Sequence, residues 1–220
     1  TDETGRDLTS RMIHGARVSM MVGFVSVGIS TIIGLILGSL AGYFGGWIDI
    51  VISRLIEMVL CFPVFFLILT ILAVIQNPSI WLVMVVIGVV RWTGTARYVR
   101  GEFIRLRDSE YSMAAVALGA GPMRVIFRHI LPNALAPVFV TVTFGIAAAI
   151  MLEAGLSYLG VGVQPPQPSW GNILRAGFGN LFTEPYMIIW PSICVFLGVL
   201  SYNLVGDALR DAVDPRLART

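Results

Sequence analysis

The residues able to do chemistry are few and scattered. All fifteen basic side chains are arginine, from Arg6 to Arg219, and there is no lysine. A GxxxxGK[ST] phosphate loop needs a lysine on the nucleotide phosphates, and a Schiff-base enzyme needs a lysine amine. The chain can supply neither. His14 and His129 belong to no HExxH pattern, and Gly155-Leu156-Ser157-Tyr158-Leu159 lacks the second glycine of a nucleophile elbow. Cys61 and Cys194 stand in apolar runs without CxxC or metal-like spacing, which reads as two small core residues. Glu153 is the one acid near the interior of an apolar stretch. At a bilayer centre it would cost about 2.5–3.5 kcal/mol. It is therefore either a hydrogen-bonded structural carboxylate near the end of a span or a candidate residue of a solute pathway.

The elements that must position these groups follow from composition. The 220 residues are 56% hydrophobic and 13% charged, with a mean hydropathy of +0.83. Soluble domains carry about 25% charged residues, so a water-soluble globule could not cover itself. A net charge of +2 gives no case for nucleic acid. Four long, predominantly apolar runs carry no charge: Val18 to Ile48, Met58 to Val90, Ile130 to Leu152 and Pro185 to Gly206. Each exceeds the roughly 18 apolar residues of a membrane-spanning helix. The Met58–Val90 run would make a helix of about 50 Å against a hydrocarbon core of about 30 Å. It contains the turn signal Gln76-Asn77-Pro78-Ser79, which splits it into a span of about Ile52–Ile75 and another from about Ser79 to Tyr98. A re-entrant segment is the competitor for the second. Arg91 is expected near one end of it, snorkelling to the headgroups.

The sequence thus predicts an all-α, polytopic membrane protein with five spans in a single domain, 1–220. Arginines set its orientation. Seven lie in Arg91–Pro132 (residues 91, 97, 100, 105, 107, 124 and 128), three in the tail (Arg210, Arg216, Arg219), and Arg54 follows the first span. Placing these inside leaves Arg6, Arg11, Arg17 and Arg175 outside, in keeping with the positive-inside rule. Thr1 is then outside and Thr220 cytoplasmic. No secretory signal is visible, and an odd number of spans from an external Thr1 leads to the expectation of a preceding span and six in all.

The first span carries a stripe. Ser26, Ser30, Gly34, Gly38 and Gly42 recur every fourth residue, so one helix face is lined with small side chains. Such stripes let helix backbones approach closely in lipid, against another span or another subunit. The segment Asp108–Pro137 reads as helix, tight turn, helix. Asp108 or Ser109 is expected to cap the first helix, Met113 to Leu118 propagate it, and Gly119 and Gly121 end it. Pro122 suits the first position of the second helix. There Met123, Ile126, Phe127, Ile130 and Leu131 recur at the spacing of one apolar face. Pro132 and Pro137 are expected to break or kink the helix that follows. Such a hairpin is poor catalytic material. It suits docking to a protein groove or lying on lipid headgroups.

The spacing Ala114-Ala115, three residues, Gly119, then Leu131-Pro132 resembles the EAA loop of binding-protein-dependent ABC importer permeases. That loop reads Glu-Ala-Ala, three residues, Gly, nine residues, Ile-x-Leu-Pro. The opening pieces Thr1 to Asp7, Ser10-Arg11 and Gly15-Ala16-Arg17, with Gly42-Tyr43-Phe44-Gly45-Gly46-Trp47, Leu156-Ser157-Tyr158-Leu159-Gly160, Pro165-Pro166, Pro168-Ser169-Trp170-Gly171-Asn172, Asn203 to Asp207 and Asp214-Pro215-Arg216, resemble C-type dipeptide, oligopeptide and nickel permeases. Two positions depart. Met113 stands for the family glutamate and His129 for the isoleucine, and Glu110 lies on a neighbouring face as a substitute charge.

The resemblance implies a type I ABC importer transmembrane domain (MetI-like) that hydrolyses nothing, needs no cofactor or metal, and sits in a prokaryotic inner membrane. It implies a coupling loop within residues 99–137, with Tyr111, Met113, Ala114, Ala115, Gly119, Ala120, Gly121, Leu131 and Pro132 as its site. The implied partners are a second, different permease, two ATP-binding subunits and an external substrate-binding protein. Pro165, Pro166 and Trp170 are candidate contacts for the last of these. The implied cargo is a peptide, with nickel the alternative inside the family and an ion-coupled secondary transporter the alternative outside it.

Overall fold

The computed structural model describes residues 5–75 and 78–213. Thr1–Thr4, Gln76-Asn77 of the expected turn, and the tail with Arg216 and Arg219 lie outside the described residues. Those described form helices and no strand: α1 Leu8–Phe44, α2 Gly46–Leu60, α3 Val64–Val74, α4 Ile80–Arg107, α5 Glu110–Ala117, α6 Pro122–Val125, a π-turn Ile126–Ile130, α7 Leu131–Tyr158, α8 Trp170–Phe178 and α9 Tyr186–Val213. Four helical segments are long and apolar enough to cross a membrane. They are α1, α4, the continuous stretch Pro122–Tyr158 and α9, and the bent pair α2–α3 makes a fifth if it is one span.

α1 opens at Asp7, whose carboxylate accepts from the N–H groups of Thr9 (3.2 Å) and Ser10 (3.0 Å), satisfying donors that no helical carbonyl reaches. Its small-residue stripe is wholly buried, and the surface it fits is α4. A methyl group added at Gly34 would lie 2.6 Å from Thr95 Cβ, at Gly38 2.6 Å from the Ala96 carbonyl oxygen, and at Gly42 2.6 Å from Phe103 Cβ. α4 answers with Gly88, where a methyl would lie 2.7 Å from the Ser26 carbonyl oxygen. Ser26 and Ser30 turn their hydroxyls back to the carbonyls of Val22 (2.6 Å) and Val27 (2.9 Å), so burial leaves neither unpaired. Close packing over this length replaces the hydrophobic drive that lipid does not supply. α7 and α8 pack on α1 as well, and α9 packs chiefly on α7 and α8.

Three expectations are corrected. The span Ile52–Ile75 is not straight: α2 and α3 meet at 77°. Cys61-Phe62-Pro63 breaks it, because Pro63 has no N–H and forces Phe62 out of helical geometry. α2 carries Asp49, Arg54 and Glu57 and buries only Ile52 and Ile56, whereas α3 carries no charge and is apolar but for Thr70. Conversely, the span after Ser79 is one unbroken helix. Ser79 caps it, accepting from the Leu82 N–H at 3.2 Å, and it runs to Arg107 for about 42 Å. Arg91 is therefore mid-helix rather than terminal, and its Nη1 donates to the Gly145 carbonyl of α7 at 3.3 Å. Finally, neither Pro132 nor Pro137 breaks α7. Proline 132 has no N–H to give, and the π-turn just before it absorbs the mismatch: the Leu131 N–H bonds five residues back to Ile126. Asn133 Nδ2 donates to the His129 carbonyl at 2.7 Å.

Candidate functional site

The hairpin α5–α6 is built on the ends of α4 and α7. Beneath it lies an apolar cluster of Val99, Phe103, Leu106, Ala115, Val125, Ile126, Ile130, Ala134 and Val138. Phe103 and Ile130 have no exposed surface, and each such side chain contributes about 1.5–3 kcal/mol by burial. The first helix has no side-chain cap. The expected capping hydroxyl of Ser109 donates instead to the Leu106 carbonyl (2.6 Å) and lies 3.1 Å from Ser112 Oγ, from which it can accept, so it ties α5 to the last turn of α4.

The turn is formed by backbone. Gly119 has φ +84°, its N–H bonds to the Val116 carbonyl (2.9 Å), and the Ala120 N–H bonds to the Ala115 carbonyl (3.0 Å). This pair of bonds requires a left-handed residue at Gly119. Space does not require it, since an added methyl would meet nothing within 4 Å. Gly121, with φ −69°, and Pro122 then open α6.

The predicted residues separate by face. Ala115 and Ser112 are buried against α4, and Ala120 and Leu131 pack on the same cluster. Tyr111, Met113, Ala114, Val116 and Leu118 face outward, with Leu118 88% exposed. Gly119 and Gly121 lie at the exposed turn, and Pro132 is exposed on the first turn of α7. The two alanines of the motif thus serve different surfaces, one inward and one outward. The expected apolar face of the second helix splits. Ile126 and Ile130 are buried, while Met123 and Phe127 are exposed and Val125 takes their place. The π-turn changes the period, so a 3.6-residue template misassigns that face.

Two contacts fix this end to the bundle. Arg107 Nη1 donates to the Tyr43 carbonyl at 3.2 Å, closing the C-terminus of α1. Arg100 grips the Asp49 carboxylate with two nitrogens, Nη2 to Oδ2 at 2.6 Å and Nε to Oδ1, and so anchors α2 on α4.

At the opposite end the structure places Glu153 and Trp170 together. Glu153, a pathway candidate from the sequence, has no exposed surface. Its carboxylate accepts from Ser19 Oγ (2.9 Å) and Ser157 Oγ (2.6 Å). Ser157 Oγ in turn accepts from the Val163 N–H (2.9 Å), and Ser19 Oγ from the Trp170 N–H (3.3 Å). A carboxylate can be buried when such donors surround it. The arrangement is a sealed clasp joining α1, α7 and α8.

Trp170, expected as an interface aromatic, is 3% exposed and donates its indole N–H to the Met12 carbonyl at 3.3 Å. The reciprocal cap between Ser169 and Asn172 (3.0 and 3.2 Å) starts α8 there and turns the ring inward. It is not a contact surface. Pro165 and Pro166 are exposed. Sequence reasoning passed over Phe178, Leu181 and Phe182, which form an exposed apolar rim on this side, Phe182 being 97% exposed. Nothing in their spacing marks them; only the amphipathic turn of α8 leads to them.

Residues 34–219 match the family described as binding-protein-dependent transport system inner membrane component. The dipeptide transport system permease protein DppC of Alkalihalophilus pseudofirmus is 42% identical over 217 residues, covering 99% of this chain and 71% of the relative. The oligopeptide permease OppC of Haemophilus influenzae is 39% identical, covering 98% and 69%. The glutathione permease GsiD of Pectobacterium atrosepticum is 38% identical, covering 98% and 71%. Among solved structures, an inward-facing MetNI methionine ABC transporter superposes with a TM-score of 0.75 at 19% identity, over 97% of this chain and 100% of that one. The helical membrane fold, the matched family and the likeness over nearly the whole of this chain agree: this chain belongs to the family of binding-protein-dependent inner membrane permeases, the non-catalytic membrane subunits of ABC importers.

Proposed function

We propose that the chain carries short peptides across the inner membrane and that hairpin α5–α6 couples it to separate ATPase subunits. The observation that carries this reading is the hairpin itself. Outward apolar side chains (Tyr111, Met113, Val116, Leu118) stand on a turn locked by Gly119, over a cluster continuous with two long helices. A groove closing on that face moves α4 and α7 as rigid bodies, which is how a two-state element transmits force. Met113 replaces the usual glutamate, so the contact is apolar at that position; Glu110, exposed in the first turn of α5, supplies the nearest charge.

In this reading the hairpin and the C-terminus of α9 are cytoplasmic. A second, different permease completes the pathway, two ATPases dock below, and an external binding protein delivers the cargo. Pro165, Pro166 and the rim of Phe178, Leu181 and Phe182 face that protein. Peptide cargo rests on the names of the relatives, and Glu153 braces the outer end rather than touching cargo. The test is reconstitution of the whole importer in vesicles. Uptake of a labelled dipeptide that needs both ATP and the binding protein supports the reading; uptake driven by a proton or sodium gradient without ATP overturns it.

A further inference from the structure

Arg91 is the one arginine held at the middle of a long apolar helix. It lies about 17 Å along α4 from Ile80, near the midplane of a hydrocarbon core of about 30 Å if α4 spans it. A guanidinium there is costly and is retained where it has a task. Its five N–H donors make one hydrogen bond, the 3.3 Å contact to the Gly145 carbonyl, and it forms no ion pair among the described residues. The group faces a cavity of about 400 Å³ between α1, α4 and α7, whose wall includes Thr31, Thr95, Tyr98 and Thr141 and no acidic residue. Thr31 Oγ1 is buried there without a partner. A cation with free donors and hydroxyl-bearing side chains around a cavity of small-ligand size are the parts of an anion site.

We propose that Arg91 and the hydroxyls of this cavity receive the carboxylate of the transported solute during passage, for a peptide its C-terminal carboxylate. The guanidinium fork matches a carboxylate with two parallel hydrogen bonds, and Thr95 and Tyr98, on the same helix as Arg91, also line the cavity. Only one charge is offered, so the hold is weak enough to release cargo, as conduction requires. The proposal rests on the peptide-importer reading above and adds to it where in the membrane cargo is recognised and by which end.

The test compares uptake of a dipeptide and of its C-terminal amide by the reconstituted importer, each normalised to the wild-type rate for that solute so that selection by the binding protein cancels. Arg91→Gln is expected to lower uptake of the free-carboxylate dipeptide about tenfold or more, the loss of a charge-assisted hydrogen bond, and to leave the amide's normalised rate near that of the wild type. Equal normalised rates for the two solutes overturn the proposal. So does loss of the second permease on co-purification, which would give the guanidinium to a carboxylate across the permease interface.

A second measurement keeps Arg91 in place. In a chain whose only cysteine is Thr141→Cys, an anionic thiol reagent is expected to react faster than a cationic one, and dipeptide is expected to slow it. A faster cationic reagent, or no slowing, overturns the proposal. Wild-type vesicles that take up no peptide at all would refute the importer reading itself and are distinguished from these outcomes by that control.

Discussion

The two ends of the molecule use the same small residues for opposite purposes. At the hairpin, glycine is demanded by backbone conformation: Gly119 has φ +84° and open space around it. At the clasp, glycine is demanded by contact. A methyl added at Gly171 would stand 2.5 Å from the Ala154 carbonyl oxygen and 2.7 Å from Ser157 Cβ. Apolar side chains divide the same way, Leu118 standing in the open and Trp170 shut away. One end turns apolar side chains outward; the other holds three helices together. The lesson is that a short motif of small residues marks a surface only when the fold is known, since crowding and exposure produce similar spellings.

The contrast can be broken by substitution, and the expected effects on stability rank as follows. Gly171→Val forces overpacking against backbone, and thermal unfolding in detergent should show a loss of about 3 kcal/mol. Uptake should then fall only as far as folded protein is lost. Glu153→Gln replaces one carboxylate oxygen with an NH2 that cannot accept, so one of the two serines loses its acceptor at a sealed site; this should cost about 1–2 kcal/mol, with uptake of every solute reduced alike. A cargo-specific loss in that variant would return Glu153 to the pathway.

Gly119→Val places a side chain at positive φ, a local strain of about 1–2 kcal/mol. The spans should stay inserted and the melting temperature should move little, yet ATP-driven uptake should be abolished. Unchanged uptake would sink the coupling role of the hairpin. Leu118→Ser should leave stability within about 0.5 kcal/mol while lowering uptake several-fold.

The sequence made the helical class, the small stripe of α1 and the hairpin legible, because each is a local pattern with one physical reading. Charge-free runs located the spans, and Gly119 with Pro122 located the turn. What stayed hidden depended on geometry that no local pattern encodes. The 77° bend between α2 and α3 was signalled by Pro63, but the charge-free run around it masked the signal. Arg91 was assigned to a helix end because a span of standard length stops near Tyr98, whereas α4 continues to Arg107. The inward turn of Trp170 could have been anticipated from Ser169 and Asn172, whose spacing is that of a reciprocal cap. Prolines 132 and 137 signal a break or kink because a π-turn leaves no mark in composition. The partner of Glu153 was illegible for a simpler reason: Ser19 is 134 residues away.

The central claim is that the outward face of α5 is covered by an ATPase subunit. Its most direct measurement is the reaction rate of a thiol reagent with Leu118→Cys, with Cys61→Ser and Cys194→Ser, in membranes holding the permease pair with and without the ATPase subunits. The account predicts fast labelling without them and labelling slowed about tenfold or more when they are bound, since a residue in a well-packed interface core is fully desolvated. Equal rates in the two preparations would contradict it.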